Sequence, residues 1–490
     1  MTDLSTMLCN SERLETRHFI NGKFCDGSAG RVFPVYNPAN GALLTEVADG
    51  TAEDAVAAVE AAAGALDDWR RRTAKERAGI LKRWHALIAE AREDLATLMT
   101  LEQGKPIAEA RAEVDYGNAF VEWFAEEAKR ANGEVIPAHL PGRKILVQKA
   151  PIGVVAAITP WNFPIAMGAR KAAAALAAGC TFVLKPAQDT PLCALALAVL
   201  AREAGIPDGV FNVVCCEDPA PVGTVLTTHP EVRKVTFTGS TTVGKQLMAQ
   251  CASTVKRTSM ELGGNAPFII FDDADLDAAI AAAMVCKFRN AGQTCVCANR
   301  ILVQDAVYDE VVARLHAGAS ALVAGDGLAA GTTLGPMINQ GAVRRVNQIV
   351  QDSIAQGARA LLGGAPSAPD DRFFAPTLLT DISPQQRVFT DEIFGPVAPV
   401  LRFESEAEAI SLANDTRYGL AAYCFTQDLG RTFRVVDGLE YGMVAVNEGI
   451  LSTEVAPFGG VKESGIGREG SQHGIDEYLD LKYALIGGLG

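Results

Sequence analysis

Residues 153–185 read GVVAAITPWNFPIAMGARKAAAALAAGCTFVLK, and the fold turns on this stretch. The apolar run at 154–158 is too short for a helix and lies between Gly153 and Pro160, which fits a buried strand. The alanine-rich segment at 165–178 is long enough for a helix and stops at Gly179. A second short apolar run follows at 182–184. Strand, helix and strand, with both strands apolar throughout, make the βαβ unit of a parallel sheet.

The alternation continues on both sides. Downstream, the pattern predicts a helix at 192–204, a strand at 211–214, a helix near 222–227 and a strand at 234–237. A second α/β series spans about 261–440, with strands at 266–271 and 300–303 and helices at 275–288, 307–321 and 341–356. Upstream, Asn21-Gly22 is the turn of a short strand pair within 19–26. Thr51 with Asp54 and Thr73 with Glu76 form capping boxes, and Ile80, Trp84, Leu87, Ile88 and Ala91 recur at helical spacing. The residues before Glu261 read as a helix that ends in the glycines of ELGG at 261–264. Stretches 144–149 and 479–485 alternate apolar and polar, as edge strands do, and are expected to pair between subunits.

Composition narrows the function. The chain has 490 residues, 49% of them apolar and 21% charged, which suits a globular protein of two or more domains. Its net charge of -14 and the lack of a long basic run argue against a nucleic-acid partner. The longest apolar stretches, 172–180 and 278–286, are too short to span a bilayer, so no membrane partner is expected. The N-terminal residues show no signal or transit pattern. Eleven scattered cysteines and six histidines make no metal-ligand cluster. Reduced thiols in a cytoplasmic enzyme are the expectation.

Two short motifs point to chemistry. KVTFT at 234–238 is a strand, and GSTTVG at 239–244 opens a helix. A glycine turn at a helix N-terminus is an anion site, because free N–H groups and the helix dipole face the ligand. The same residues nearly spell a nucleoside-triphosphate P-loop, but Gln246 stands where a metal-binding hydroxyl is needed. GQTC at 292–295 places a cysteine after a glycine turn. Alone it is more often structural than catalytic. Its company changes that: ELGG at 261–264, TPWNFP at 159–164 after a buried strand, and EIFGP at 392–396.

Together these motifs resemble the aldehyde dehydrogenase superfamily, from Asn37-Pro38 to PFGGVKES at 457–464. The segment KFRNAGQTCVCANR at 287–300 is similar to its succinate-semialdehyde dehydrogenase branch. The resemblance implies an α/β fold with a Rossmann-type cofactor domain at 1–133 and 150–260. It further implies an α/β catalytic domain at 261–440, extending to about 465, and a small β oligomerisation element at 134–149 and 476–490. A homodimer or homotetramer is expected.

The resemblance also implies roles. Cys295 is the nucleophile, Asn162 the oxyanion donor and Glu261 the general base that releases the acid. Lys185 reaches the adenosine ribose, and Gly239, Ser240 and Gly244 belong to the pyrophosphate turn. Gly223 allows close approach near the adenine. Glu392 binds the nicotinamide ribose, with Phe394 beside the ring and Pro160 and Trp161 on the cofactor side. Family members selective for NAD often carry Glu where this chain has Gln188. A neutral Gln does not repel a 2′-phosphate, so NADP, or use of both NADP and NAD, is favoured.

Arg170 and Arg289 suggest a small anionic aldehyde, because the matching positions in relatives acting on apolar aldehydes are usually aromatic. Arg170 is expected on a helix face about 12 Å along the axis from Asn162. Ser452 matches a serine that the semialdehyde branch uses on the same carboxylate, and Phe163 and Phe458 supply walls. Succinate semialdehyde leads, and glutarate semialdehyde is the rival. The resemblance also implies Cys297 as a redox partner that can form a disulfide with Cys295 in some members of the branch, while the plainer reading is a small packed residue. A non-catalytic redox-sensing scaffold and a nucleoside triphosphatase are the alternatives from other classes.

Overall fold

A computed structural model describes residues 4–367 and 372–489. Two sheets organise it. In spatial order, the first contains Lys23–Cys25, His18–Ile20, Phe211–Val213, Thr181–Lys185, Val154–Ile158, Val232–Thr238, Arg257–Glu261 and Gly465–Ile466. Its five central strands are parallel, and the outer ones run antiparallel. From Val154–Ile158 the chain winds outward through two strands on one side. It then returns to place Val232–Thr238 on the other side. That reversal opens a crevice at the carboxyl ends of Val154–Ile158 and Val232–Thr238, the position where open α/β sheets bind ligands.

The second sheet runs Arg359–Leu362, Thr377–Thr380, Val397–Phe403, Ala298–Gln304, Ala266–Ile270, Ala421–Phe425 and Met443–Val446, parallel except for the first. The chain crosses between sheets at residues 262–265. It leaves the carboxyl end of Arg257–Glu261 and enters the amino end of Ala266–Ile270.

The helix Pro164–Ala178 is buried along its whole length. Its small side chains let Ile107–Glu127 pack closely: a Cβ on Gly117 would lie 2.9 Å from Ala166 Cα. Trp69 and Trp84 donate their indole N–H groups to Leu176 O and Leu197 O, each at 3.2 Å, so these large rings are buried without an orphaned donor. Both capping boxes form, at the starts of Ala52–Arg71 and Ala74–Glu90. The Asn21-Gly22 turn also forms, with both residues at positive φ.

Two expectations need correction. The residues before Glu261 are a strand. The helix Thr241–Cys251 ends earlier, Val255 turns the chain at φ +52°, and Arg257–Glu261 pairs in parallel with Val232–Thr238. Five residues are too few to reveal a period, and sheet pairing decides their state. The alternating stretches pair with each other within the chain. Leu479–Ile486 runs antiparallel to Lys144–Pro151 over eight residue pairs, and Glu134–Ile136 adds a third strand.

Candidate active site

The crossing between sheets brings the chemically interesting residues together. Glu261 ends its strand with a buried side chain, and its carbonyl accepts Gly239 N–H at 3.0 Å. The next segment passes so close to the cysteine loop that a Cβ on Gly264 would lie 2.3 Å from Cys295 O. Glycine is therefore required there.

Cys295 follows three consecutive residues in the left-handed region, Asn290, Ala291 and Gly292. Two of these are not glycine, so the surroundings must hold the bend. Asn290 N–H donates to Glu109 Oε2 at 2.7 Å, and Gln103 Nε2 donates to Asn290 Oδ1 at 2.9 Å. Gln293 Oε1 accepts Ile338 N–H at 2.9 Å. A Cβ on Gly292 would strike Gly395 O at 2.2 Å. Asn162 faces the same loop, with Nδ2 donating to Gln293 O at 3.0 Å. A primary amide has two N–H groups, so a second donor remains.

Two cavities meet at Cys295. The first, about 280 Å³, is lined on one side by Pro160, Trp161, Asn162 and Phe163 and on the other by Gly239, Ser240, Glu261, Glu392 and Phe394. Glu392 Oε1 accepts Gly264 N–H at 2.9 Å. Phe394, at φ +55°, meets Trp161 edge-on with ring centroids 5.6 Å apart. Ser240 caps Thr241–Cys251. Thr238 Oγ1 is buried at the cavity wall without a hydrogen-bond partner.

Four other residues assigned to the nucleotide do not line this cavity. Gly244 packs on Leu262, where a Cβ would approach within 2.4 Å. Lys185 is buried at the end of its strand and donates to Pro186 O at 3.0 Å. Gln188 is exposed and donates to Asp189 Oδ2 at 3.0 Å. Gly223 lies on Pro219–Thr228, with open space where a Cβ would stand.

The second cavity, about 420 Å³, is lined by Arg170, Arg289, Ser452, Phe163 and Phe458, as well as Cys295. Arg170 forms an ion pair with Glu469 and lies over the Phe458 ring at 4.7 Å. Its Nη1 and Nη2 make no hydrogen bond. The pairing with Glu469 means that Arg170 also has a structural role. Asn162 lies outside the helix, which begins at Pro164, so the expected 12 Å helical spacing does not apply. Arg289 lies over Phe163 at 5.6 Å.

Sequence reading missed Lys105, Glu109, Glu113 and Tyr116 on this wall. A signal was present: Glu109, Glu113 and Tyr116 are spaced four and three apart on Ile107–Glu127, which puts polar groups on one face. Lys105 and Glu113 form a fully buried ion pair.

Burial dominates the electrostatics. It pushes the Cys295 thiol up to about 12, while the Arg170 charge opposes the rise. It also raises Glu261 well above the usual carboxylate range. Glu469 adds to that shift, and Arg170, Lys171 and Arg468 work against it. Burial lifts Glu392 to about 7. All eleven cysteines are free thiols, and Cys297 lines neither cavity. Among the described residues no His, Cys, Asp or Glu group could hold a metal ion, and no helix is long and apolar enough to cross a membrane.

A cysteine shared by two cavities, a buried carboxylate and an amide gathered between two α/β sheets define a class, and the comparison with known families agrees. The chain belongs to the Aldehyde dehydrogenase family, whose model matches residues 24–484. Among curated proteins it is 55% identical to the glutarate-semialdehyde dehydrogenase of Pseudomonas aeruginosa, over 96% of this chain and 97% of that protein. It is equally 55% identical to the 3-sulfolactaldehyde dehydrogenase of Pseudomonas putida, over 97% and 98%. The NADP(+) succinate-semialdehyde dehydrogenase GabD of Escherichia coli also shares 55%, over 98% and 99%. A solved structure of an NADP dependent enzyme from E. coli superposes with a TM-score of 0.97 at 54% identity, covering 98% of this chain and all of that one.

Proposed function

We infer that the protein oxidises a short anionic aldehyde to its acid with a nicotinamide nucleotide, and that succinate semialdehyde is the leading substrate. The observation that carries this reading is the position of Cys295. It is shared by two cavities, one ending in a glycine turn at a helix N-terminus and the other walled by Arg170 and Arg289.

The first cavity fits the nucleotide. Thr238 Oγ1 stands there without a partner, and Ser240 stands at a helix start suited to phosphate. When bound, the nicotinamide nucleotide supplies the hydride acceptor. Lys185, Gln188, Glu392 and Phe394 would hold it along with that turn. Gln188 is neutral and so does not repel a 2′-phosphate. Asp189 is next in the chain and close enough to feel the Lys185 charge, which favours use of both NADP and NAD.

The chain's own residues then act in sequence. The Cys295 thiolate attacks the aldehyde carbon, and the free N–H of Asn162 with the Cys295 backbone N–H holds the oxyanion. Loss of hydride from the tetrahedral thiohemiacetal leaves a thioester on Cys295. Glu261 takes a proton from water, which attacks the thioester and frees the acid. Arg170, Arg289 and Ser452 hold the distal carboxylate, between the walls Phe163 and Phe458.

Kinetics with succinate semialdehyde, glutarate semialdehyde and butanal test the reading. Butanal is expected to lose about 100-fold in kcat/KM, and the two semialdehydes to differ by about 10- to 100-fold, because a methylene is a weak discriminator. Butanal turned over as well as the semialdehydes would remove the arginines from recognition. A homodimer or homotetramer is supported by the exposed apolar side chains of the three-stranded sheet, Val135, Leu481 and Tyr483 among them. A cytoplasmic location agrees with eleven free thiols.

A further inference from the structure

Asn162 is held by groups that come from outside its own segment. Residues 159–163 link the strand Val154–Ile158 to the helix Pro164–Ala178, and the residue at the helix start, Phe163, supplies no side-chain cap. Glu113, on Ile107–Glu127, caps the helix instead: its Oε1 accepts Ile165 N–H at 3.0 Å and Ala166 N–H at 3.3 Å. Its Oε2 pairs with Lys105 Nζ, which also donates to Asn162 O at 2.8 Å. A second donor, Asn290 Nδ2, reaches the same carbonyl at 3.0 Å. Asn290 is itself held by Gln103 Nε2, and Gln103 Oε1 accepts Lys105 N–H at 3.0 Å. Both donors on Asn162 O therefore lead back to residues 103–105. The Lys105 and Glu113 side chains are each 1% exposed. Burial raises the Glu113 carboxyl, and the Lys105 charge opposes the rise. Two buried charges cost desolvation, and apolar residues of similar size often hold such a place at least as firmly. Stability alone therefore does not account for the pair. Its bonds end on the backbone to either side of Phe163, and Lys105 Nζ lies 4.2 Å from the centre of the Phe163 ring.

We propose that Lys105 is a positioning residue for the Asn162 amide: it clamps the Asn162 carbonyl to the carboxylate that caps Pro164–Ala178, and so sets where the oxyanion donor points. The inference rests on the reading of Asn162 as that donor. One N–H of the amide is spent on Gln293 O at 3.0 Å. With the carbonyl also tied down, the second N–H keeps one direction, and no reorganisation is needed when negative charge develops on the aldehyde oxygen. Without Lys105 the carbonyl retains only the Asn290 contact, and the peptide between Asn162 and Phe163 is free to rotate. A displacement of about 1 Å at a reacting group costs on the order of 100-fold in rate. Lys105 and Glu113 also line the second cavity, so a direct contact with the substrate carboxylate is the rival role that the test must separate.

A double-mutant cycle on the full-length enzyme tests the proposal, read as the rate of the first burst of reduced nucleotide. Lys105→Met is expected to slow the burst about 30- to 100-fold, and equally for succinate semialdehyde and butanal, because either aldehyde forms the oxyanion. The KM for succinate semialdehyde should stay within about threefold of wild type. In an Asn162→Ala background the same change should cost less than about threefold, because the donor it positions is gone. Lys105→Met leaves Glu113 buried without its cation. If that variant does not fold, Lys105→Met with Glu113→Gln removes both charges together, keeps an oxygen for Ile165 and Ala166, and takes its place in the cycle. Losses that multiply in the double variant would overturn the proposal, since the lysine would then act independently of Asn162. So would a rise in KM confined to succinate semialdehyde, which would put Lys105 on the substrate carboxylate. An Asn162→Ala enzyme with an unchanged burst would instead sink the oxyanion reading, and this inference with it.

Discussion

The two cavities that meet at Cys295 are built in different ways. The first, proposed for the nucleotide, is lined mainly by short runs of consecutive residues: 160–163, 238–240, 261–263 and the loop that holds Glu392 and Phe394. The second, proposed for the aldehyde, is lined by residues brought together from distant places, 105–116, 163–170, 289 and 450–458. A wall of contiguous motifs suits a part that all substrates share. A side-chain wall can change residue by residue while the fold stays as it is. Specificity should therefore be sensitive on the second side and catalysis at the junction.

Substitutions can break that division, beginning at the junction. Cys295→Ser is expected to lower kcat by about 10⁴-fold or more. Nucleotide affinity, followed by fluorescence titration, should stay nearly unchanged. A large loss of affinity would mean that the junction belongs to the nucleotide side.

Glu261→Gln should lower steady-state kcat by about 10²- to 10⁴-fold. A single burst of reduced cofactor should survive, because acylation precedes the step that needs the base. Burial disfavours the charged forms of Cys295 and Glu261, and the proposed role of each needs the deprotonated form, so wild-type activity should rise with pH from 6 to 9. A rate that fell over this range would contradict that sign.

Arg289→Leu tests the second wall without breaking an ion pair among the described residues, whereas a change at Arg170 would remove one of the two cations paired with Glu469. It should reduce kcat/KM for succinate semialdehyde by about 10- to 100-fold and leave butanal unaffected. Equal losses for both aldehydes would show that Arg289 holds the loop and not the substrate. The smallest effect belongs to Gln188→Glu. It should weaken NADP about three- to tenfold and spare NAD, because Gln188 is exposed and its charge would be partly screened.

The same contrast explains what the sequence can reveal. TPWNFP, GSTTVG, GQTC and EIFGP are contiguous, so the residues around Cys295 are legible in the order of amino acids alone. The strand at 154–158 and its neighbours are legible because an apolar run between breakers has few alternatives. The strand ending at Glu261 reads wrongly as a helix because its five residues take their state from Val232–Thr238 alongside. Glu109, Glu113 and Tyr116 escape notice because a helix with many charged residues does not reveal which of them face inward until its partner helix is placed. The Glu469 contact with Arg170 joins residues about 300 positions apart, and no local pattern announces it.

The crossing at residues 262–265 has a consequence for how such a chain can be divided. Glu261, the proposed base, ends a strand of one sheet, and Cys295, the proposed nucleophile, precedes a strand of the other, with Gly264 touching the Cys295 carbonyl between them. Neither half of the polypeptide therefore owns the chemistry. Fragments separated at this crossing would divide Glu261 from Cys295, and recovery on mixing would have to restore the Gly264 approach that has no room for even a methyl group, together with the pairing of Gly465–Ile466 and of Leu479–Ile486 to strands before the cut.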